Sequence, residues 1–398
     1  MKKKNPNTAL LLLSAMTFLT NGDIYLSAPL LLSIGNDLNI SVSSAALTVT
    51  SYMGAFAFFN LFFGPAGDRF GRTKIIILCS FGTSVFSCLS FYVDSLSTLI
   101  IFRAFNGGFA AGIMPVSVAI IGEAFDEDKR QKAIASMIGI MILGGASASI
   151  IGGGLSYILS WKSVYLAYGL GELVISFMLL FFLESRPGSG KKLNVFRMYT
   201  EVLKNRMALY CLCLVGLSGL IVAGSFSFTG ELIRGATGMN VFEIGVVLSC
   251  FGIGGIVSSR ITKYTDRFPM ATICISAGVI GGFSIYCIAG TTSAPVFAVG
   301  LFLWGITFVT IHSSNIAVAQ NLIPELRGTI MSMMSFSRLA GGTIGTLINK
   351  RVMDSYQINS IFIYTAVLFS IFAVFAAVIL HTENKPKDKD APVLEPSS

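Results

Sequence analysis

Four ionisable side chains stand inside runs that are otherwise apolar. Asp23 lies in LLLLSAMTFLTNGDIYLSAPLLL, Arg103 in LIIFRAFNGGFAA, Glu172 in YGLGELVIS and His312 in FVTIHSSNIAVAQN. Ionisable groups are costly in such surroundings, so each is a candidate for function. Asp23 and Arg103 form the most specific pair. A carboxylate held by a guanidinium stays ionised; released from it in an apolar setting, it takes up a proton. That is the behaviour of a side chain that carries protons. A fixed ion pair that orders two helices is the competing explanation, and the residues alone leave both open. Glu172 is expected to turn inward, because facing hydrocarbon is costly. His312 has polar neighbours and could line a cavity, although a lone histidine is more often a hydrogen-bonded structural residue. Glu231 and Arg234 read as a pair at a helix end. Arg338 is explained about as well by snorkelling as by a gate.

A second constellation is GPAGDRFGRTK, residues 64–74. Asp68, Arg69, Arg72 and Lys74 are crowded among Gly64, Gly67 and Gly71, between two apolar runs. Glycine there permits a tight turn and a close approach of helices. Glu123 ends a later apolar run, and Arg130 begins the next one.

The elements that must hold these residues follow from composition. Of the 398 residues, 54% are hydrophobic and 12% charged. Soluble domains carry roughly 25% charged residues. Mean hydropathy is +0.76. The apolar residues come in twelve blocks on the order of 20 residues each, the length that spans a bilayer as a helix. The segment MKKKNPNTALLLLSAMTFL lacks a clean small-residue cleavage site and reads as a retained first helix, not a signal peptide. With the N-terminus placed inside, 22 of the 28 Lys and Arg fall on that side, four fall outside, and Arg103 and Arg338 fall within helices. This bias places both termini in the cytoplasm and assigns the net charge of +8 to topology, not to nucleic acid. The seven cysteines all lie in apolar runs, with no pattern of metal ligands, and read as packing residues.

The segment 185–206, SRPGSGKKLNVFRMYTEVLKNR, divides the chain six runs plus six. Its part MYTEVLKN could form a short surface helix. At an offset of about 197–198 residues GDRFGR is echoed by TDRFPM, RQKAIASM by RGTIMSMM, and Gly107 by Gly305. Three matches at one offset suggest duplication of a six-helix unit. The expected organisation is a first bundle over 1–184, a linker over 185–206, a second bundle over 207–382 and a disordered cytoplasmic tail over 383–398.

These motifs resemble the major facilitator superfamily. GPAGDRFGRTK is similar to its loop signature G-x-L-x-D-R-x-G-R-K, with Ala66 in place of Leu. LIIFRAFNGGFAA is similar to its fourth-helix signature. GDIYLSAPLLLSIGNDLNIS resembles the first helix of the twelve-helix drug:proton antiporter branch, with Ser27 where a Pro is usual and Pro29 two residues on. One departure stands in the fifth helix: Ser149 and Ile150 occupy the place of the branch's Gly-Pro. The resemblance implies an all-α integral membrane protein with twelve transmembrane helices in two six-helix pseudo-repeats. It implies a cytoplasmic latch of Gly64, Asp68, Arg69, Gly71, Arg72 and Glu123, with Arg130 nearby, that holds the halves together when the cavity faces outward. Such a latch contributes on the order of 1–3 kcal/mol. The expected proton-coupling and substrate cavity involves Asp23, Arg103, Tyr25, Glu172 and His312, although the sixth helix, which carries Glu172, is peripheral in that family. Tyr52, Phe56, Phe226 and Phe228 would add aromatic surface suited to an amphipathic ligand.

The expected function is secondary transport in the cell membrane: proton-coupled efflux of a small amphipathic solute or drug by alternating access. Export of a polar metabolite such as a sugar or nucleoside is the alternative within transport. A membrane-embedded enzyme is the alternative from another class, but no H-E-x-x-H, G-x-S-x-G or nucleotide-binding loop is present. The expected partners are the solute, protons and lipid, without nucleic acid. No cofactor or metal is expected, the proton gradient supplies the energy, and the class works as a monomer.

Overall fold

Apolar segments in hydrocarbon must bond their backbone groups internally, and a helix does so within one segment. The structure is a computed structural model that describes residues 5–184, 195–265, 268–323 and 326–383, and every regular element in it is helical. Ten helices are long and apolar enough to cross a membrane. They are α2 (Val42–Phe70), α3 (Arg72–Tyr92), α4 (Leu96–Ala124), α5 (Glu127–Ile158), α6 (Trp161–Phe182), α8 (Arg206–Thr237), α9 (Val241–Thr265), α10 (Met270–Gly290), α11 (Ala294–Leu322) and α13 (Ile358–Glu383). The first helix, α1, is broken: Pro6–Tyr25 and Ser27–Asp37 meet at 54° and together make an eleventh span. The remaining long helix, α12 (Arg327–Ser355), falls short of the apolar threshold although it has the length. One of its faces exposes Ile344, Leu347 and Ile348, while Ser335 and Asn349 bond to other helices. The twelve expected spans are thus ten long apolar helices, one bent helix and one long helix of lower hydropathy.

The bend in α1 has a local cause. Pro29 has no N–H to donate, and its ring crowds the carbonyl four residues back, which is Tyr25. The helix therefore breaks two residues beyond Asp23. In the second half, α8 is also irregular: Gly219–Ala223 winds as a π-turn. The sequence offset places the two irregularities at equivalent positions in the halves.

GPAGDRFGRTK is not a loop. Helix α2 continues through Asp68 and Arg69 to Phe70, and α3 begins at Arg72. Gly71 alone makes the turn, at φ 105°. A side chain there would be strained, so glycine is required. Gly64 is different. A Cβ built on it meets nothing within 4 Å, so its membership of the latch has no packing reason.

Two bundles, α1–α6 and α8–α13, meet along two seams, α2 against α12 and α5 against α9. A pseudo-twofold axis carries one seam onto the other. The α5–α9 seam is built from small residues. A Cβ added to Gly245 would lie 2.3 Å from the Ser149 carbonyl, and one on Gly252 would lie 2.5 Å from Ala146. Helix α5 runs unbroken for 32 residues through Ser149 and Ile150, as expected where the Gly-Pro is missing. The amphipathic helix α7 (Val195–Lys204) lies on the second bundle and reaches the first, where Tyr199 Oη donates to the Leu61 carbonyl at 2.6 Å. Residues 185–194 of the linker, the tail 384–398, and Asp266 and Arg267 of the repeated motif lie outside the described residues.

One end of the molecule carries Asp68–Lys74 and Asp126–Lys132; it is called the basic end below. At the opposite end the halves are closed. Gly230 abuts the Ala28 carbonyl, Gly153 abuts Val241, and Ser43 donates to Asp354. At the basic end Asn60 Nδ2 donates to Ser335 Oγ at 2.7 Å. Among the described residues, however, α4 and α11 share no extensive packing.

Candidate functional site

Asp23 and Arg103 face each other inside the first bundle, each with 1% of its side chain exposed. Arg103 Nη1 donates to both Asp23 oxygens at 2.9 Å and to Asn106 Oδ1 at 2.9 Å. Arg103 Nη2 reaches the Asp23 carbonyl at 3.4 Å. Asn106 is fixed in turn by donating to the Thr83 carbonyl and hydroxyl at 2.9 and 3.0 Å. The guanidinium is sandwiched between Tyr52 and Tyr165, whose ring centres lie 4.4 and 4.8 Å from it. Five helices, α1, α2, α3, α4 and α6, therefore converge on one ion pair. Close packing makes room for it: a Cβ on Gly107, one turn from Arg103, would stand 2.3 Å from the Tyr52 carbonyl. Arg103 Nε has no hydrogen-bond partner. A pair satisfied by so many bonds survives in an apolar interior, whereas removal of one partner is strongly destabilising.

Glu172 is turned inward, as its chemistry requires, and is fully buried on α6. Neither of its oxygens makes a well-formed hydrogen bond; Thr83 is the polar group beside it, and Asp23 and Arg103 are its charged neighbours. Two carboxyls and one guanidinium thus share one enclosed region.

A small cavity lies next to this cluster, between the bundles. Tyr25, Met53, Phe226, Phe251, Phe308 and Arg338 are in its wall. It encloses about 30 Å³, space for about one or two water molecules. Both irregular helices line it: α1 at Ile24–Ala28 and α8 at Ser218–Ser227. Aromatic rings form a continuous wall, with Phe226 on Phe251 at 4.8 Å, Phe251 on Trp304 at 5.5 Å and Tyr25 against Phe226 at 6.2 Å.

The expected cavity set therefore divides. Tyr25 lines the cavity. Asp23, Arg103 and Glu172 do not; they sit behind its wall, because the polar partners that satisfy or neighbour them belong to the interior of the first bundle. His312 is also outside the wall, half-buried and stacked on Phe308 at 5.5 Å. Of the additional aromatics, Phe226 lines the cavity, Tyr52 packs on Arg103, and Phe228 is buried elsewhere. Arg338 lines the cavity, which the competing explanations from sequence did not include. The wall residue Phe308 was legible as the middle of an i, i+4 aromatic series, Trp304, Phe308 and His312. Phe251 carried no signal of its own.

At the basic end Arg72 joins three helices. Its Nε and Nη2 donate to Asp68 Oδ1 at 3.0 and 2.7 Å, and its Nη1 to Glu123 and to the Ala119 carbonyl at 3.3 Å. Gly67 allows this approach, since a Cβ there would already touch Arg72 and Val116 at 3.5 Å. All three charged residues belong to the first bundle. In this structure Arg72 ties α2, α3 and α4 together; the expected latch between the halves belongs to the state whose cavity faces outward. Uncharged contacts do cross near this end: the Asn60–Ser335 bond, and the bond of Tyr199 on α7 to the Leu61 carbonyl. Arg69 points outward over the Phe70 ring. Arg130 is exposed in the first turn of α5 and makes no ion pair with the cluster among the described residues. Glu231 and Arg234 make no direct ion pair either.

Comparison with known proteins agrees with this geometry. Residues 13–346 match the family model described as the Major Facilitator Superfamily. The chain is 25% identical over 369 residues to the bicyclomycin resistance protein homolog of Haemophilus influenzae, covering 89% of this chain and 91% of that protein. It is 23% identical over 337 residues to the multidrug transporter MdfA of Yersinia pestis, covering 80% of each. In fold it is similar to a bacterial homolog of the human lysosomal transporter Spinster, solved inward-facing and unoccupied. That match has a TM-score of 0.75 at 16% identity, over 95% of this chain and 97% of the other. It is also similar to a variant of the nucleoside transporter NupG, with a TM-score of 0.76 at 14% identity, over 96% and 100% of the two chains.

Proposed function

The chain belongs to the major facilitator superfamily, and from that premise we propose that it exports a small amphipathic solute in exchange for protons. Its relatives named for bicyclomycin resistance and multidrug transport support export of a drug-like solute. The observation that carries proton coupling is the enclosed Asp23–Arg103 pair beside the bend of α1. Tyr25 lines the cavity two residues from Asp23, so one helical segment joins the ligand wall to the carboxylate. Protonation of Asp23 removes its charge from Arg103 and loosens the bond that holds α1 to α4. Displacement of the α1 segment by ligand acts on the same bond from the other side. Each event thereby biases the other, as coupling requires.

The aromatic lining supports an amphipathic solute over a sugar, whose hydroxyls would find few partners there. The narrow cavity admits such a solute only after the halves separate. With the basic end placed in the cytoplasm by the positive-inside rule, the closed opposite end makes this the inward-facing arrangement. The protein is then an inner-membrane transporter with both termini cytoplasmic, working as a monomer on the proton gradient alone.

In liposomes, Asp23→Asn is expected to lower pH-gradient-driven transport by at least about tenfold, the effect of ~1.4 kcal/mol or more. Counterflow of solute should persist. Unchanged coupling in that variant would remove Asp23 from the proton pathway.

A further inference from the structure

We propose that the central cavity selects amphipathic ligands that carry an anionic group, with Arg338 as the partner of that group. This rests on the reading of the cavity as the transport site and names the class of solute it takes.

Arg338 is the one charged side chain in the cavity wall, and the rest of the wall is mainly apolar and aromatic. Among the described residues it has neither an ion pair nor a side-chain hydrogen bond. A guanidinium carries five donors in a planar fork, and an apolar setting without an acceptor is unfavourable for them. A carboxylate or similar anion fits that fork with two parallel bonds, and a neighbouring ring system would rest on Phe226, Phe251 and Phe308. His312 is the nearest further ionisable group on that side. Its ring stacks on Phe308, its Nδ1 is buried without a partner, and Arg338 is its charged neighbour. Among the described residues no carboxylate stands in this wall to receive a cation.

The acids that could receive a cation are all engaged or walled off. Asp23 is enclosed with Arg103 at 1% exposure. Glu172 is fully buried on α6, outside the cavity wall. Asp68 and Glu123 bind Arg72 at the basic end. A cationic ligand would therefore enter a pocket with a like charge and no counter-charge. Selection comes from repulsion as well as attraction, which is the more discriminating arrangement.

Three probes with one aromatic body test this: 2-naphthoate, 2-naphthamide and 2-naphthylmethylamine at pH 7. Their affinities for the purified full-length protein in lipid nanodiscs would be measured by calorimetry. The expected order is carboxylate, then amide, then amine, with at least about tenfold between the first and last. Arg338→Gln should bring the three affinities together, and Arg338→Lys should keep part of the preference. The proposal is overturned if the amine binds as tightly as the carboxylate to the unmodified protein. It is overturned equally if the carboxylate does not bind or if Arg338→Gln leaves the order unchanged. Should Arg338→Gln fail to fold, the order in the unmodified protein and in Arg338→Lys decides. Proton exchange with the amine alone would sink the anion preference and leave proton coupling intact.

Discussion

A single enclosed ion pair organises the first bundle. Arg103 makes its bonds to Asp23 and Asn106 with two tyrosine faces around it, so it has little freedom to move. Glu172 differs, because no side chain holds its carboxyl by a well-formed bond. On the proposed reading the two carboxyls differ: Asp23 is held by Arg103, and Glu172 is the less restrained of the two. Glu172→Gln keeps the shape of the side chain. Its expected effect is a lower ratio of protons to solute in liposomes, with counterflow intact. An unchanged ratio would remove Glu172 from the proton pathway.

Among the elements, the informative ones are those that break regular geometry. Pro29 bends α1 beside the ion pair, and the π-turn of α8 forms the facing wall. Such interruptions concentrate at functional sites because they free backbone groups and re-aim side chains. Gly71 is a different interruption, since its φ of 105° joins α2 to α3 without a loop. Gly71→Ala should destabilise the protein by about 1–2 kcal/mol, the cost of a side chain in a left-handed conformation. Thermal unfolding in detergent reads this directly, and Gly64→Ala serves as the control because its space is open. Asp68→Asn removes the negative charge that Arg72 pairs with at a partly exposed site. Its stability cost should be within about 1 kcal/mol. We expect it also to shift the protein toward states open at the basic end, read by engineered cysteines on the two ends. Equal accessibility at both ends, as in the parent, would refute a gating part for Asp68.

For the whole molecule the relevant geometry is two bundles on two symmetric seams. The small residues along α5 and α9 let backbones slide past one another at close range. The α2–α12 seam carries the polar Asn60–Ser335 bond. Rocking about these seams opens one end as it closes the other. A reporter fused after Ser398 should lie in the cytoplasm. An external reporter would invert the assignment of both ends and with it the direction of transport.

Much of this was open to sequence alone. Hydropathy blocks, charge asymmetry and the motifs around Asp68 and Arg103 determined a membrane-spanning helical protein of the major facilitator type, because lipid allows few backbone solutions. Pro29 and Gly71 could be read as interruptions by the same local rules. The less apolar α12 was harder, since polar residues on it such as Ser335 and Asn349 answer to neighbouring helices and not to lipid. Only the tertiary structure decided which side of a helix faces the cavity. Helices that are apolar all round carry no periodic signal to separate bundle interior from cavity or lipid. So Asp23, Glu172 and His312 moved outside the wall, and Arg338 moved into it. The partners of Arg72 likewise depended on which helices adjoin, a property of packing that no single segment contains.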